Sequence, residues 1–173
     1  MAGEVALICQ VGRERMGVTG GSQMAYVMVE ARPNATAVAP QRMPLNVALV
    51  LDHSGSMKGA KLKAVKDAVK LVIDQLDPTD IVSVTIFDDN VKVVVPAQPA
   101  TNKTSLTALV DGIRDGGGTS MSLGMNVGLT ELRKYATPNM VNRMILLTDG
   151  VTYGDADRCR RIADDAGAAG IGI

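Results

Sequence analysis

Tryptophan is absent from the 173 residues, phenylalanine occurs once and tyrosine three times. So thin an aromatic supply argues against the stacking platforms on which single-stranded nucleic acids are read. Charge of one sign is also lacking. Lys plus Arg and Asp plus Glu both number 18, so no long-range field draws the chain toward nucleic acid or an anionic membrane surface. There is no long apolar run either: Val47 to Leu51 is far too short to span a bilayer. The start, Met1 to Val5, lacks the basic residues and apolar stretch of a signal peptide, which places the chain in the cytoplasm as an expectation. The two cysteines, Cys9 and Cys159, have no CxxC or Cys/His spacing, and reduced core thiols are the expectation for them.

What is present is an ordinary globular balance, 46% hydrophobic and 21% charged, in a length that suits one packed domain. Val5 to Val11 and Met24 to Ala31 predict two strands of a hairpin around the loop Gly12 to Gln23. Arg32 to Pro44 carries Pro33, Pro40 and Pro44 and predicts a linker, dividing a lead-in of residues 1–44 from a domain of residues 45–173.

From Leu45 onward strands and helices alternate. Asn46 to Leu51 is nearly all apolar, as a strand covered on both faces must be, and ends on Asp52. Leu62, Val65, Val69, Val72, Ile73 and Leu76 recur at helical spacing until Asp77 and Pro78 stop the helix. Ile81 to Phe87 predicts a second buried strand, and Val91 to Val95 a third, antiparallel to it through the short turn Asp88 to Asn90. A short helix around Leu106 to Ile113 is expected to end in Gly116 to Gly118, and a longer one through Met125, Leu129 and Leu132 runs to about Tyr135. Arg143 to Leu147 predicts a fourth strand, Cys159 to Ala166 another helix, and Ile171 to Ile173 the start of a fifth strand. Helical crossovers make such strands mostly parallel, giving a doubly wound α/β sheet with helices on both faces. Ligands of these sheets bind beyond the carboxyl ends of the strands.

At that rim lie three groups: Asp52, Ser54 and Ser56 after the first of these strands, Thr119 after the glycines, and Asp149 after the fourth strand. They form an all-oxygen donor set suited to a hard cation such as Mg²⁺. The plain alternative for Asp52 or Ser56 is to cap the helix that follows. His53 should point away from its neighbours, and a surface or partly packed side chain is the reading preferred over a catalytic base. Lys58, Lys61, Lys63, Lys66 and Lys70 read as a solvated helix face, although an acidic partner could meet them. With one Phe to fill the core, the methionines are expected to pack inside.

Asp52-x-Ser54-x-Ser56, with Thr119 in a Gly-Gly-Thr loop and Asp149 in Leu-Leu-Thr-Asp-Gly, resembles the metal-ion-dependent adhesion site, or MIDAS, of von Willebrand A and integrin I domains. The resemblance covers Leu45 to Ile173 and is of a bacterial intracellular kind. It implies that Ser54 and Ser56 hold the ion directly, that Thr119 does so in the ligand-bound form, and that Asp52 and Asp149 act directly or through water. Mg²⁺ is the implied ion, with Mn²⁺ or Ca²⁺ as substitutes, and an Asp or Glu of a protein partner would fill the open position. The resemblance also implies that one more helix and strand belong after Ile173, for which three explanations compete: the sequence is a shortened piece of a longer chain, a complementing chain supplies the remainder, or two copies pair at that edge. The implied function is a scaffold-like interaction module without catalysis. A metal-assisted hydrolase finds no nucleophile and base pair here, and an adaptor to an ATPase or chelatase rests on analogy alone.

Overall fold

The computed structural model describes residues 5–11, 27–33, 42–150 and 154–173, and the chain divides into two units, Met1–Arg42 and Met43–Ile173. In the first unit, strand β1 (Val5–Val11) pairs antiparallel with β2 (Val27–Pro33) in the register Val5 to Pro33 and Val11 to Val27. The second strand thus runs through Arg32 and Pro33, two residues assigned above to the linker. Most of the expected loop and linker, and the start of the second strand at Met24, lie outside the described residues. Cys9 is exposed on this hairpin, a correction to its expected place in a core, as are Met28 and, at the head of the second unit, Met43. A two-stranded ribbon has no interior in which to hide Cys9 and Met28.

The second unit is a four-stranded sheet in the order β5-β4-β3-β6, built from β3 (Leu45–Asp52), β4 (Ile81–Phe87), β5 (Val91–Pro99) and β6 (Val141–Leu147). Strand β3 lies parallel to both β4 and β6, and β5 is antiparallel to β4. Its central place explains its composition: Asn46 through Asp52 are all buried, as a strand sealed on both faces requires. One face packs Val47, Leu49 and Leu51 against helices α1 (Ala60–Gln75) and α2 (Lys103–Asp111). The other packs Ala48, Val50 and Met144 against α3 (Met121–Arg133) and α4 (Ala156–Ala168). Helices therefore cover both faces, the doubly wound arrangement. Met57, Met121, Met125 and Met144 are core residues, so methionine does supply interior volume here.

Three boundaries differ from the sequence reading, each for a local reason. Helix α2 stops at Asp111, because Gly112 caps it by donating its N–H to the carbonyls of Ala108 and Leu109. The glycines Gly116 to Gly118 thus belong to the following loop. Helix α3 ends at Arg133, short of Tyr135. Strand β5 continues past Val95 to Pro99, since an edge strand tolerates proline and a bulge between Val82 and Val84 absorbs the misfit. At the other edge Gly172 makes a single parallel bridge with Arg143, donating to the carbonyl of Asn142 at 3.2 Å and accepting from Met144 at 2.8 Å.

Two glycines set the depth of α3. A methyl group on Gly124 would stand 2.5 Å from Phe87 Cδ1, and one on Gly128 would collide with Val50 Cγ2. One helical turn apart, they let the backbone of α3 rest on the strands that end at the rim.

Candidate metal centre

Asp52 is the last residue of β3 and is fully buried. Its carboxylate accepts the Ser54 backbone N–H on Oδ1 at 2.8 Å and the Thr148 hydroxyl on Oδ2 at 2.8 Å. Neither donor carries charge. Among the described residues no Lys, Arg or His forms an ion pair with Asp52, so this buried carboxyl has no cationic side chain beside it, and buried carboxylates ordinarily pair with a cation or coordinate a metal.

The chain leaves β3 in a shape fixed by its neighbours. His53 donates its N–H to the Phe87 carbonyl at 3.1 Å, extending the ladder to β4 by one bond. Its carbonyl accepts the Gly116 N–H at 2.6 Å, and Gly55 donates to the Gly117 carbonyl at 2.8 Å. The first loop is thus stitched to the glycine loop. Ser54 and Ser56 come together with their hydroxyl oxygens 3.1 Å apart, Ser54 buried and Ser56 exposed. Neither Asp52 nor Ser56 caps the helix that follows: Gly59 occupies the cap of α1, with φ of 77° and no side-chain bond. The helix-capping alternative is therefore wrong.

The glycine loop is gripped from the far side. Asp88 accepts the Gly117 N–H at 3.0 Å and Asp89 accepts the Gly118 N–H at 2.8 Å, while Ser120 donates its N–H to the Asp88 carbonyl at 2.7 Å. Between these anchors sits Thr119, half-buried, with a hydroxyl that bonds to none of the described residues. Burial works to raise the pKa of Asp88, but the N–H groups of Asn90 and Gly117 and the nearby His53 outweigh it and hold the carboxyl below its ordinary value. A side chain at Gly116 or Gly118 would run into these same carboxylates. Sequence reading saw Asp88 and Asp89 only as turn formers. Nothing in their spacing announces a grip on a loop almost thirty residues away.

Asp149 follows β6 at the same rim, but its Oδ2 lies 2.9 Å from Lys61 Nζ in an ion pair. Ser54 thus touches both Asp52, through its backbone N–H, and Ser56, through its hydroxyl; the loop before Thr119 is stitched to the same segment through backbone bonds, and Asp149 follows Thr148, whose hydroxyl holds Asp52. Thr148 was not singled out from the sequence, and Lys61 was read only as part of a solvated helix face. Thr148 stands inside the Leu-Leu-Thr-Asp-Gly segment, which could have flagged it. His53 faces the other way, as expected, with Nδ1 2.9 Å from the Arg114 carbonyl and Nε2 3.9 Å from Asp88.

The basic stripe on α1 is consumed internally. Lys63 pairs with Asp67, Lys70 with Asp67 and Asp111, Lys58 with Asp115 at 3.9 Å, and Lys66 donates to the carbonyls of Asp111 and Ile113. An acidic partner would have to break these contacts first.

The donor chemistry fits a hard cation. An octahedral ion bound at about 2.1 Å places adjacent oxygens about 3 Å apart, and the serine hydroxyls stand at 3.1 Å. No cluster of three or more His, Cys, Asp or Glu side chains occurs among the described residues, so the rim relies on hydroxyls.

The family model of the von Willebrand factor type A domain matches residues 46–173, and the chain belongs to that family. Domains of this family commonly mediate metal-dependent protein interactions. Protein sll0103 of Synechocystis is 39% identical over 123 residues, covering 70% of this chain and 29% of its own length. The E3 ubiquitin-protein ligase WAV3 of Arabidopsis thaliana is 36% identical over 159 residues, covering 85% of this chain and 22% of its own. The chain thus spans less than a third of either relative. Among solved structures, proximal thread matrix protein 1 of the mussel byssus, with a zinc-occupied MIDAS motif, superposes with a TM-score of 0.64 at 20% identity over 75% of this chain and 36% of that one. A von Willebrand factor type A protein of Catenulispora acidiphila gives 0.63 at 21% identity over 92% and 37%. Both likenesses are of fold. No helix among the described residues is long and apolar enough to cross a membrane.

Proposed function

We propose that the chain is a metal-dependent protein-interaction module whose rim holds a divalent cation, Mg²⁺ above all with Mn²⁺ or Ca²⁺ as substitutes, and presents it to a carboxylate of a partner protein. The observation that carries this reading is the buried Asp52 carboxyl, which has no cationic partner among the described residues and holds the backbone of Ser54, whose hydroxyl is paired with that of Ser56. A cation there would answer that charge. Ser54 and Ser56 would be its direct ligands, Asp52 would steer them from behind, and Thr119 and Asp149 would approach from the two neighbouring loops. A shell of neutral hydroxyls and water leaves the ion short of negative charge, so an incoming Asp or Glu gains a charge-assisted contact that no neutral side chain can match. The zinc-occupied MIDAS of the mussel protein is consistent with such chemistry on this fold.

Titration calorimetry with Mg²⁺ and Mn²⁺ tests it. Asp52→Ala should abolish cation binding while circular dichroism keeps its helical signature, and Thr119→Ala should weaken binding of a carboxylate partner at least tenfold more than it weakens the ion. Unchanged affinity in the Asp52 variant would remove the site.

A further inference from the structure

Beside the rim, on the side away from α4, a hollow of about 750 Å³ opens between the end of α2, strand β5 and the loop leading to Gly116. Its floor is aliphatic, made by Ile86, Val94, Leu109 and Ile113. Leu109 is 45% exposed, a large apolar side chain on an otherwise ordinary helix surface. His53 and Gly116 line the near wall, and these two residues are bonded to each other within the loops that carry Ser54 and Thr119. Hollow and rim therefore share a wall.

The charges around the hollow are unequally satisfied. Asp88 is held by the N–H groups of Asn90 and Gly117, Asp115 faces Lys58 at 3.9 Å, and Arg114 donates to the carbonyls of Asp111 and Ile113. Lys92, exposed on the edge strand, pairs with no side chain among the described residues. An occupant that fits must be apolar where it meets Leu109 and Ile113 and negative where it meets Lys92.

We propose that this hollow is the second contact for the same partner: an extended acidic segment that sets one carboxylate at the rim, lays an aliphatic side chain over Leu109 and brings a further carboxylate to Lys92. This rests on the reading of the rim given above. The cation would supply attraction for any carboxylate, and the hollow would select which acidic segment stays, because only the right neighbouring side chain removes the exposed leucine surface from water.

The test is a random dodecapeptide display library panned against the whole chain in Mg²⁺, in EDTA, and against Leu109→Glu and Lys92→Glu. Both substituted positions are exposed, and unchanged Mg²⁺ affinity by calorimetry certifies that the rim is intact in each variant. The expected pool carries an acidic residue at a constant spacing from a Leu, Ile or Met. Its peptides, made synthetically, should bind Leu109→Glu about tenfold more weakly, the size of one buried aliphatic group, lose affinity on Lys92→Glu, and release in EDTA. A Mg²⁺-dependent acidic pool without apolar preference, or one indifferent to Leu109→Glu, overturns the hollow and leaves the rim standing. A pool held equally in EDTA overturns the shared partner at its metal half, and failure to enrich any peptide overturns both.

Discussion

Lys61 is the residue whose position says most about how the rim is tuned. It projects from the first turn of α1 and pairs with Asp149 at 2.9 Å. A cation held by Ser54 and Ser56 would compete with this ammonium for the same carboxylate and be repelled by it, so Lys61 would act as a brake on metal affinity. An exposed pair of this kind contributes about 0.5–1 kcal/mol. Lys61→Ala should therefore tighten Mg²⁺ binding about two- to fivefold, read by calorimetry, with weaker binding pointing instead to Lys61 as a support for Asp149. At this scale the sequence was informative only where partners are close along the chain. Asp52, Ser54 and Ser56 stand two apart, and the bonds of Ser54 to each of the other two follow from that spacing. Thr148 to Asp52 and Lys61 to Asp149 span 96 and 88 residues, and such pairs become readable only once strand order is known.

Among the elements, α3 shows how close packing is written with small residues. Gly124 and Gly128 put its backbone against Phe87 and Val50, and any side chain there displaces a residue sealed in the sheet. Alanine would gain about 1 kcal/mol of helix propensity, but overpacking costs about 1–3 kcal/mol, and the stiff β-branched Val50 has little room to yield. Gly128→Ala should lower the melting temperature by several degrees, as differential scanning calorimetry would show, whereas an unchanged or raised melting point would mean that the strand gives way freely. The same helix is tied to the sheet edge by Glu131, which is buried and accepts the Ala97 N–H at 2.9 Å and Lys134 Nζ at 2.6 Å. Burial pushes its pKa up, yet these two donors prevail and hold it below the ordinary 4.5. The sign follows: a carboxyl depressed on folding adds stability above its unfolded pKa and loses that contribution as pH falls through the folded value. Wild type should exceed Glu131→Gln by about 1 kcal/mol at pH 7, and the gap should close as urea titrations are taken below pH 4.5. A gap that widens in acid would reverse this assignment.

For the molecule as a whole, three chain segments far apart in sequence meet at one end of the sheet, so an ion bound there would join loops that separate on unfolding. A ligand present at a hundred times its dissociation constant stabilises the folded state by about 2.7 kcal/mol. Saturating Mg²⁺ should accordingly raise the melting temperature of the wild type and leave that of Asp52→Ala where it was. The fold at this scale was legible because the helical spacing from Leu62 to Leu76 is long and periodic, while the short apolar runs Asn46 to Leu51 and Ile81 to Phe87 are bounded by Pro44, Asp52, Pro78 and Asp88, flanks and lengths that suit buried strands. Endings were less so. Gly112 was passed over as the stop of α2 because three glycines followed soon after, and Pro96 hid the length of β5 because proline argues against a strand unless one knows it lies at an edge.

That edge has a consequence for how these molecules behave in a crowd. A sheet left open at one side invites identical strands to stack on it, and unchecked stacking is how fibres begin. Here the last row, Val91–Pro99, offers Pro96 and Pro99, which have no N–H to give, together with the charged Lys92, while at the opposite side Gly172 already lies across β6. Growth by addition of like to like therefore meets a barrier at the β5 border of the four-stranded sheet.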